Sequence, residues 1–239
     1  MENAQTREPR TLSRRAMVKT GAAVGAGAWV APSILSYDRA YAAVGSCGDK
    51  PIQLDWSDQG VGSQIPLSPS TMTANDGVVV TAFNFDPDNV QDSTWDWSVY
   101  NGTINGRANP IVNGMSGANG GEGVTLELRF SVPVQPSFFL MDVDRGGCCG
   151  NQFRWEDSVE VLGYLLGGSA IDPDSITVGG TAVQAISPTT IRGQFSSSSS
   201  NSEAEYDFQE PVDTITIRHY DRTSRTGFQW IGVHHLHWC

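Results

Sequence analysis

Lysine is almost missing from this chain: of 239 residues only Lys19 and Lys50 carry it. Lysine and arginine together number 15 against 26 acids, a formal charge of −11. The imbalance grows along the sequence. Six basic residues and three acids lie in the first 42 positions, so the remaining 197 residues hold nine against 23, a net −14. A surface of that sign repels nucleic acid and anionic membranes, which excludes both as partners, and it suits divalent cations. Long apolar runs are missing too. The run of small and apolar residues from Gly21 to Ala31 is about half of the roughly 20 residues that a spanning helix needs, and Pro32 closes it. After it no 3.6-residue apolar period lasts three turns, which excludes a helical bundle and a parallel α/β fold. There is no Gly-x-Ser-x-Gly, His-Glu-x-x-His, phosphate loop, dinucleotide fingerprint or Cys-x-x-Cys, so no motif-borne catalysis is indicated.

What is present begins with Thr11 to Ala43. Arg14, Arg15 and Lys19 open it, the Gly/Ala-rich run comes next, and a more polar tail ends in Ala40-Tyr41-Ala42. That is the plan of an export signal cut after a small-x-small site. Ser13-Arg14-Arg15-Ala16-Met17 resembles a twin-arginine signal. The expectation is a signal over residues 1–42 and one domain over 43–239, placed in the periplasm, on the cell surface or outside. Val44-Gly45-Ser46-Cys47 resembles a lipoprotein box only weakly, because Ser36, Asp38 and Arg39 separate it from the apolar run.

All four cysteines, Cys47, Cys148, Cys149 and Cys239, lie after the expected cut and meet an oxidising compartment. Pairing the neighbours Cys148 and Cys149 with each other would close a strained ring. Each is expected to reach a distant partner, one Cys47 and the other Cys239.

The mature part reads as short strands between Gly, Pro and Asn loops. Val124 to Phe130 alternates with apolar residues at even numbers, and Val212 to Tyr220 alternates as well. Val78 to Phe85, Phe138 to Val143, Asp157 to Tyr164, Ile176 to Val183, Thr189 to Phe195 and Phe228 to Cys239 read as further strands. Thr94 to Tyr100 reads as a strand with Trp95, Trp97 and Val99 on one face. Asn101 to Gly123, rich in glycine and asparagine, reads as one long loop. The pattern predicts an all-β, antiparallel, jelly-roll-like β-sandwich.

Three groups of residues are candidates for chemistry. Asp142 and Asp144 lie two apart and Asp157 begins the next strand, so a hairpin would gather three carboxylates fit for calcium. His235 and His237, with His219 on a neighbouring strand, offer imidazoles for zinc or copper. Trp95 and Trp97 would stack on sugar rings if they were exposed. Leu-x-Phe-x-x-Pro-Val from Leu128, Phe-x-Leu-x-Asp-Val-Asp from Phe138 and Trp-x-Asp-x-Val-x-Val from Trp155 resemble a jelly-roll module of bacterial surface adhesins. The resemblance implies a cation site on Asp142, Asp144 and Asp157, and ligand-binding loops at one end. The expected function is non-catalytic: an exported, calcium-steadied sandwich in adhesion, surface structure or glycan binding, with a glycan or cell-surface protein as partner. A secreted polysaccharide hydrolase and a small metalloprotein using the C-terminal histidines are the alternatives.

Overall fold

The structure is a computed structural model and describes residues 50–60, 62–65, 69–91, 97–116, 118, 120–146, 155–165, 168–194, 202–223 and 228–239. The chain divides into two units, Met1–Ser46 and Cys47–Cys239, and every described residue belongs to the second. The expected export signal, Trp95, Cys47, Cys148 and Cys149 lie outside the described residues.

Alternation becomes strands wherever the sequence carries it. In chain order they are β1 (Ile52–Leu54), β2 (Ser70–Thr73), β3 (Val79–Phe85), β4 (Ser98–Val99), β5 (Thr103–Ile104) and β6 (Arg107–Ala108). Then come β7 (Ile111–Ser116), β8 (Gly123–Val134), β9 (Ser137–Met141), β10 (Arg145–Gly146), β11 (Trp155–Tyr164), β12 (Ala170–Ile171) and β13 (Ser175–Val178). The last are β14 (Val183–Ala185), β15 (Thr190–Gly193), β16 (Ala204–Asp207), β17 (Val212–Asp221), β18 (Phe228–Val233) and β19 (Leu236–His237). One 3-10 turn, Trp56–Gln59, is capped by the Asp55 carboxylate, which accepts the Ser57 N–H at 2.8 Å.

These strands build an antiparallel β-sandwich. One sheet has eight strands, running β1-β19-β9-β18-β7-β4, with β16 also on β9 and β13 on β16. The other has nine, running β14-β15-β11-β17-β8-β3-β2, with β10 and β12 on β11. Inward residues of both sheets form one core. Val80, Ala82, Leu126, Leu128, Val159, Val161, Ile215 and Ile217 come from one side, and Ile111, Phe138, Leu140, Ile231 and Val233 from the other. Period-2 side chains make this automatic once the register is set: Ile217 stands opposite both Leu126 and Val161.

Asn101 to Gly123 is not one loop. It holds the hairpin β5–β6 and the strand β7, which pairs with β18 over six residues. Asn105 and Gly106 both have positive φ, 52° and 84°, the requirement of the tight turn that Asn-Gly favours. The hairpin places Ile104 with Val112 and Met141, beside Tyr100, Phe139 and Trp230, in a second small core. This cover explains why β9 is apolar on both faces. Arg107 lies over the Phe139 ring, 3.3 Å from its centre, and pairs with Glu203 at 3.2 Å.

The C-terminal strand is also interrupted. β18 ends at Val233, His234 and His235 stand outside regular pairing, and β19 resumes at Leu236. The expected single alternating face for His235, His237 and Cys239 is therefore broken.

Candidate functional site

The direction of β9 distinguishes the two ends of the sandwich. Ser137 at its start pairs with His237, whereas Met141 at its end leads into Asp142 and Asp144. At the second end lie the start of β11, the end of β17, the far half of β7 and the start of β18.

Asp142 has a left-handed backbone, φ 59°. For a residue with a Cβ this costs about 1–2 kcal/mol, which Asp tolerates better than most. The reversal ends β9 and cancels the shared face expected for Asp142 and Asp144. The backbone instead gathers the acids. Asp144 and Asp157 are cross-strand neighbours: the Asp157 N–H donates to the Asp144 carbonyl at 2.9 Å, and the Asp144 N–H donates to Asp157 Oδ2 at 3.1 Å. Trp155 Nε1 donates to Asp144 Oδ1 at 3.2 Å. Gly193 allows the close approach, since any Cβ there would meet the Asp144 backbone carbonyl.

Below these acids the interior is polar. Asp157 and Asp221 are register partners on β11 and β17, and His219, Asp221, Ile215 and Ile217 share the inward face of β17. From the opposite sheet Asn113 and Gln229 point inward beside Met115 and Ile231. All five polar residues are 0–1% exposed. His219 bridges the sheets, with Nδ1 3.0 Å from Asn113 Oδ1 and Nε2 3.1 Å from Asp157 Oδ1. Asp221 Oδ1 accepts the Thr223 N–H at 2.7 Å and its hydroxyl at 2.9 Å. Gln229 lies against Asp221, yet neither of its amide atoms completes a hydrogen bond among the described residues, nor does Asn113 Nδ2. Glu156, 7% exposed, sits between Arg145 at 3.4 Å and Arg222 at 3.8 Å.

The electrostatics favour a neutral form. Burial, reinforced by the charges of Asp144, Asp142 and Asp221, pushes the Asp157 carboxyl well up. Burial pushes His219 down to about 3. With Nδ1 donating to the Asn113 oxygen, Nε2 must accept, so the proton of the pair sits on Asp157. Turning the Asn113 amide over would move the ring proton to Nε2 and leave Asp157 a buried anion, the costlier arrangement. Asp142, nearer the surface, is pushed up to about 7 by burial and then by the charge of Asp144. Burial raises Asp221 as well. This end of the sandwich therefore holds protons close to neutral pH.

The other expected groups fall elsewhere. Trp97 is fully buried with φ 43°, so it belongs to the core and offers no platform for a sugar. His219 does not join His235 and His237, because Asn113 and Asp157 take both its ring nitrogens. His234 does: its ring lies 4.1 Å from that of His235 and 6.3 Å from that of His237, centre to centre. His235 Nδ1 accepts the Trp56 N–H at 3.1 Å, and His237 Nδ1 donates to the Lys50 carbonyl at 3.0 Å. Among the described residues no group of three His, Cys, Asp or Glu side chains is arranged to hold a metal ion.

Asn113, Asp221 and Gln229 were missed as members of the site. Strand parity would have found two of them: Asp221 comes after Ile215, Ile217 and His219, and Gln229 precedes Ile231 and Val233. No helix among the described residues is long and apolar enough to cross a membrane. No family model, no curated protein and no solved structure matches this chain.

Proposed function

We propose that this protein is an exported, non-catalytic β-sandwich that acts in adhesion, surface structure or glycan binding, with its acidic end as the regulated part. The observation that carries the reading is the gathering of Asp142, Asp144, Asp157 and Asp221 at the end where β9 and β17 finish and β11 starts. Besides burial, the charges of Asp144, Asp142 and Asp221 all raise the affinity of Asp157 for a proton, and Asp144 does the same for Asp142. Calcium is the proposed competitor of those protons. It would draw on backbone carbonyls and water as well as carboxylates, since the described side chains alone make no three-membered group.

Export is supported by Arg14, Arg15, the Gly21 to Ala31 run and Ala40-Tyr41-Ala42 in the sequence, and by the net −14 of residues 43–239. Disulfide closure belongs to the same proposal. Cys239 is exposed just beyond β19, and one of the central cysteines, Cys148 or Cys149, is the partner proposed for it. A glycan or cell-surface protein is the proposed binding partner.

The test is made on full-length protein recovered from the exported fraction. Its first residue should be Ala43, and Arg14→Lys/Arg15→Lys should keep the unprocessed chain inside. Calcium should raise the melting temperature at pH 8, where the Asp142 carboxyl has given up its proton, and leave it unchanged at pH 5.5, where that proton is held. Unprocessed protein inside the cell removes the export reading, and equal melting with calcium and with chelator at pH 8 removes calcium.

One observation favours a hydrolase as second reading: an aspartate titrating near 7 in a left-handed backbone is suited to general acid work. Polysaccharide cleavage that disappears in Asp142→Asn would establish it.

A further inference from the structure

A second site lies away from the acidic end, where the edge strands of the two sheets part. β4 ends the path of one sheet and β2 that of the other. Between them is a cleft of about 250 Å³, walled by the 3-10 turn, by residues 62–65 and by β2.

Its walls are set before any ligand arrives. Residues 62–65 run beside β4: the Gly62 N–H donates to the Val99 carbonyl at 2.9 Å, Val99 to Ser63 at 2.9 Å, and Ile65 to Trp97 at 3.1 Å. The 3-10 turn is tied down by Trp56, whose backbone N–H reaches His235 and whose Nε1 reaches the His234 carbonyl at 3.0 Å. β2 is held along its length by β3.

The chemistry of the lining is specific. Trp56, Ile65, Met72 and Val99 make an apolar floor. The polar lining comes from Gln59, Ser63, Ser70 and Thr71, with Gln64 beside them. The side chains of Gln59 and Ser70 make no hydrogen bond to another described residue, so an amide and a hydroxyl are uncommitted. Among the described residues no charged side chain lines the cleft, on a mature chain of net −14. Uncommitted neutral donors and acceptors over an apolar floor fit a ligand that is neutral, rich in hydroxyls and apolar on one face. We propose that this cleft binds a single neutral sugar ring, free or at the end of a glycan. The volume lies below the roughly 300–1,000 Å³ of drug-sized sites, which limits the occupant to one ring.

The site goes beyond the reading of the acidic end and shares no residue with it, so export and calcium can fail while it stands. The probes are D-glucose, D-galactose, D-mannose and N-acetylglucosamine, with maltose and lactose as chain ends and D-glucuronate as a charged control. Saturation-transfer NMR is run on the full-length protein at about 20 mM sugar, well above a millimolar dissociation constant. Transfer to at least one neutral ring and none to glucuronate is expected. For a chain end, the disaccharide shows transfer confined to its terminal ring. For a free sugar, the monosaccharide binds and the disaccharide does not.

Ser70 shares the inward face of Met72 and is only half-buried, so Ser70→Trp fills the cleft from its mouth, and it should abolish transfer in a protein that still unfolds cooperatively. Gln59→Ala should weaken binding three- to tenfold. No transfer from any neutral sugar, or transfer that survives Ser70→Trp, overturns the proposal.

Discussion

At one end of the sandwich the polar groups beneath the surface are carboxyls, an imidazole and two amides, several sharing or lacking partners. At the other they are indoles and imidazoles, many of them matched to a backbone atom or a single carboxylate. Trp56 Nε1 meets the His234 carbonyl, Trp238 Nε1 meets Asp76 Oδ2 at 2.7 Å, and His237 meets the Lys50 carbonyl. Trp238 also sets its ring edge-on to Phe130 with centres 5.5 Å apart. The closed end thus buries large aromatic area with its polar tips satisfied, the stabilising way to use tryptophan. The acidic end buries hydrogen-bonding capacity that the described chain does not fully use. The first arrangement fixes a fold. The second stores free energy that a proton, an ion or a ligand can release.

The sharpest way to break this comparison is to empty the closed end. Trp238→Ala removes a fully buried ring and its hydrogen bond to Asp76, and should cost about 3–5 kcal/mol in urea unfolding. Trp56→Ala should cost about as much, since it also releases the His234–His235 break. A loss under about 1 kcal/mol at both sites would mean that the anchor of the fold lies elsewhere.

Next in size is His219. Replacing it with Leu leaves Asn113 Oδ1 and Asp157 Oδ1 without the ring nitrogens they face and should cost about 2–3 kcal/mol. The double variant His219→Leu/Asn113→Val removes one of the orphans and should recover part of that loss. A double variant as unstable as the sum of its single changes would show that the two side chains are not coupled.

Strand parity made most of this legible. The even-numbered residues of β8 and the odd-numbered residues of β17 face the core as alternation requires, and the two-sheet fold comes from them. What parity could not carry was a change of phase. Trp97 and Asp142 both reverse φ without being glycine, and each cancels the face count around it. His234 and His235 break the last strand because Trp56 captures His235. A count of two along that stretch therefore put His235 and His237 on one face, and His219 was added from β17, which belongs to the other sheet. Asn105-Gly106 carried its turn openly, yet the glycines around it hid the short strands on either side. The acids were recognisable as a group, but the amides that face them were not, because an inward Gln or Asn contradicts the apolar pattern used to find a strand.

Proton linkage sharpens the contrast in a smaller range. The folded chain holds a proton on Asp142 that the unfolded chain has released between the ordinary 3.8 and about 7. Stability from this group is therefore highest at low pH and falls as pH rises through that window. The Asp157–His219 pair adds little slope there. Each state keeps one proton, on the imidazole when unfolded and on Asp157 when folded. Above the ordinary imidazole value of 6.5 only the folded state keeps it, so stability falls again. Below 6.5 His234, held down to about 3 by burial, and His235, also held down by burial, act in the opposite direction, since only the unfolded chain protonates them. The melting temperature of the native chain relative to that of Asp142→Asn should therefore decline between pH 4.5 and about 7. A profile that the substitution leaves unchanged would place the titrating group elsewhere.

The smallest expected effects separate backbone strain from charge. Asp142→Gly removes the carboxyl and the left-handed penalty together, whereas Asp142→Asn removes only the charge. Relief of the steric penalty is worth about 1 kcal/mol, partly offset by the greater freedom of glycine in the unfolded chain. Asp142→Gly should therefore be slightly more stable than Asp142→Asn at pH 8, with the same pH profile. Gly106→Ala makes the opposite change at the hairpin turn, where φ is 84° and a Cβ meets nothing within 4 Å. Its cost is pure backbone strain, about 1 kcal/mol, and should fall on the β5–β6 hairpin and its small core alone. Hydrogen exchange would show faster opening of Ile104 and Val112 with the main core unchanged. A loss that spreads to β8 and β17 would mean that the hairpin is part of the cooperative fold and not a cover laid on it.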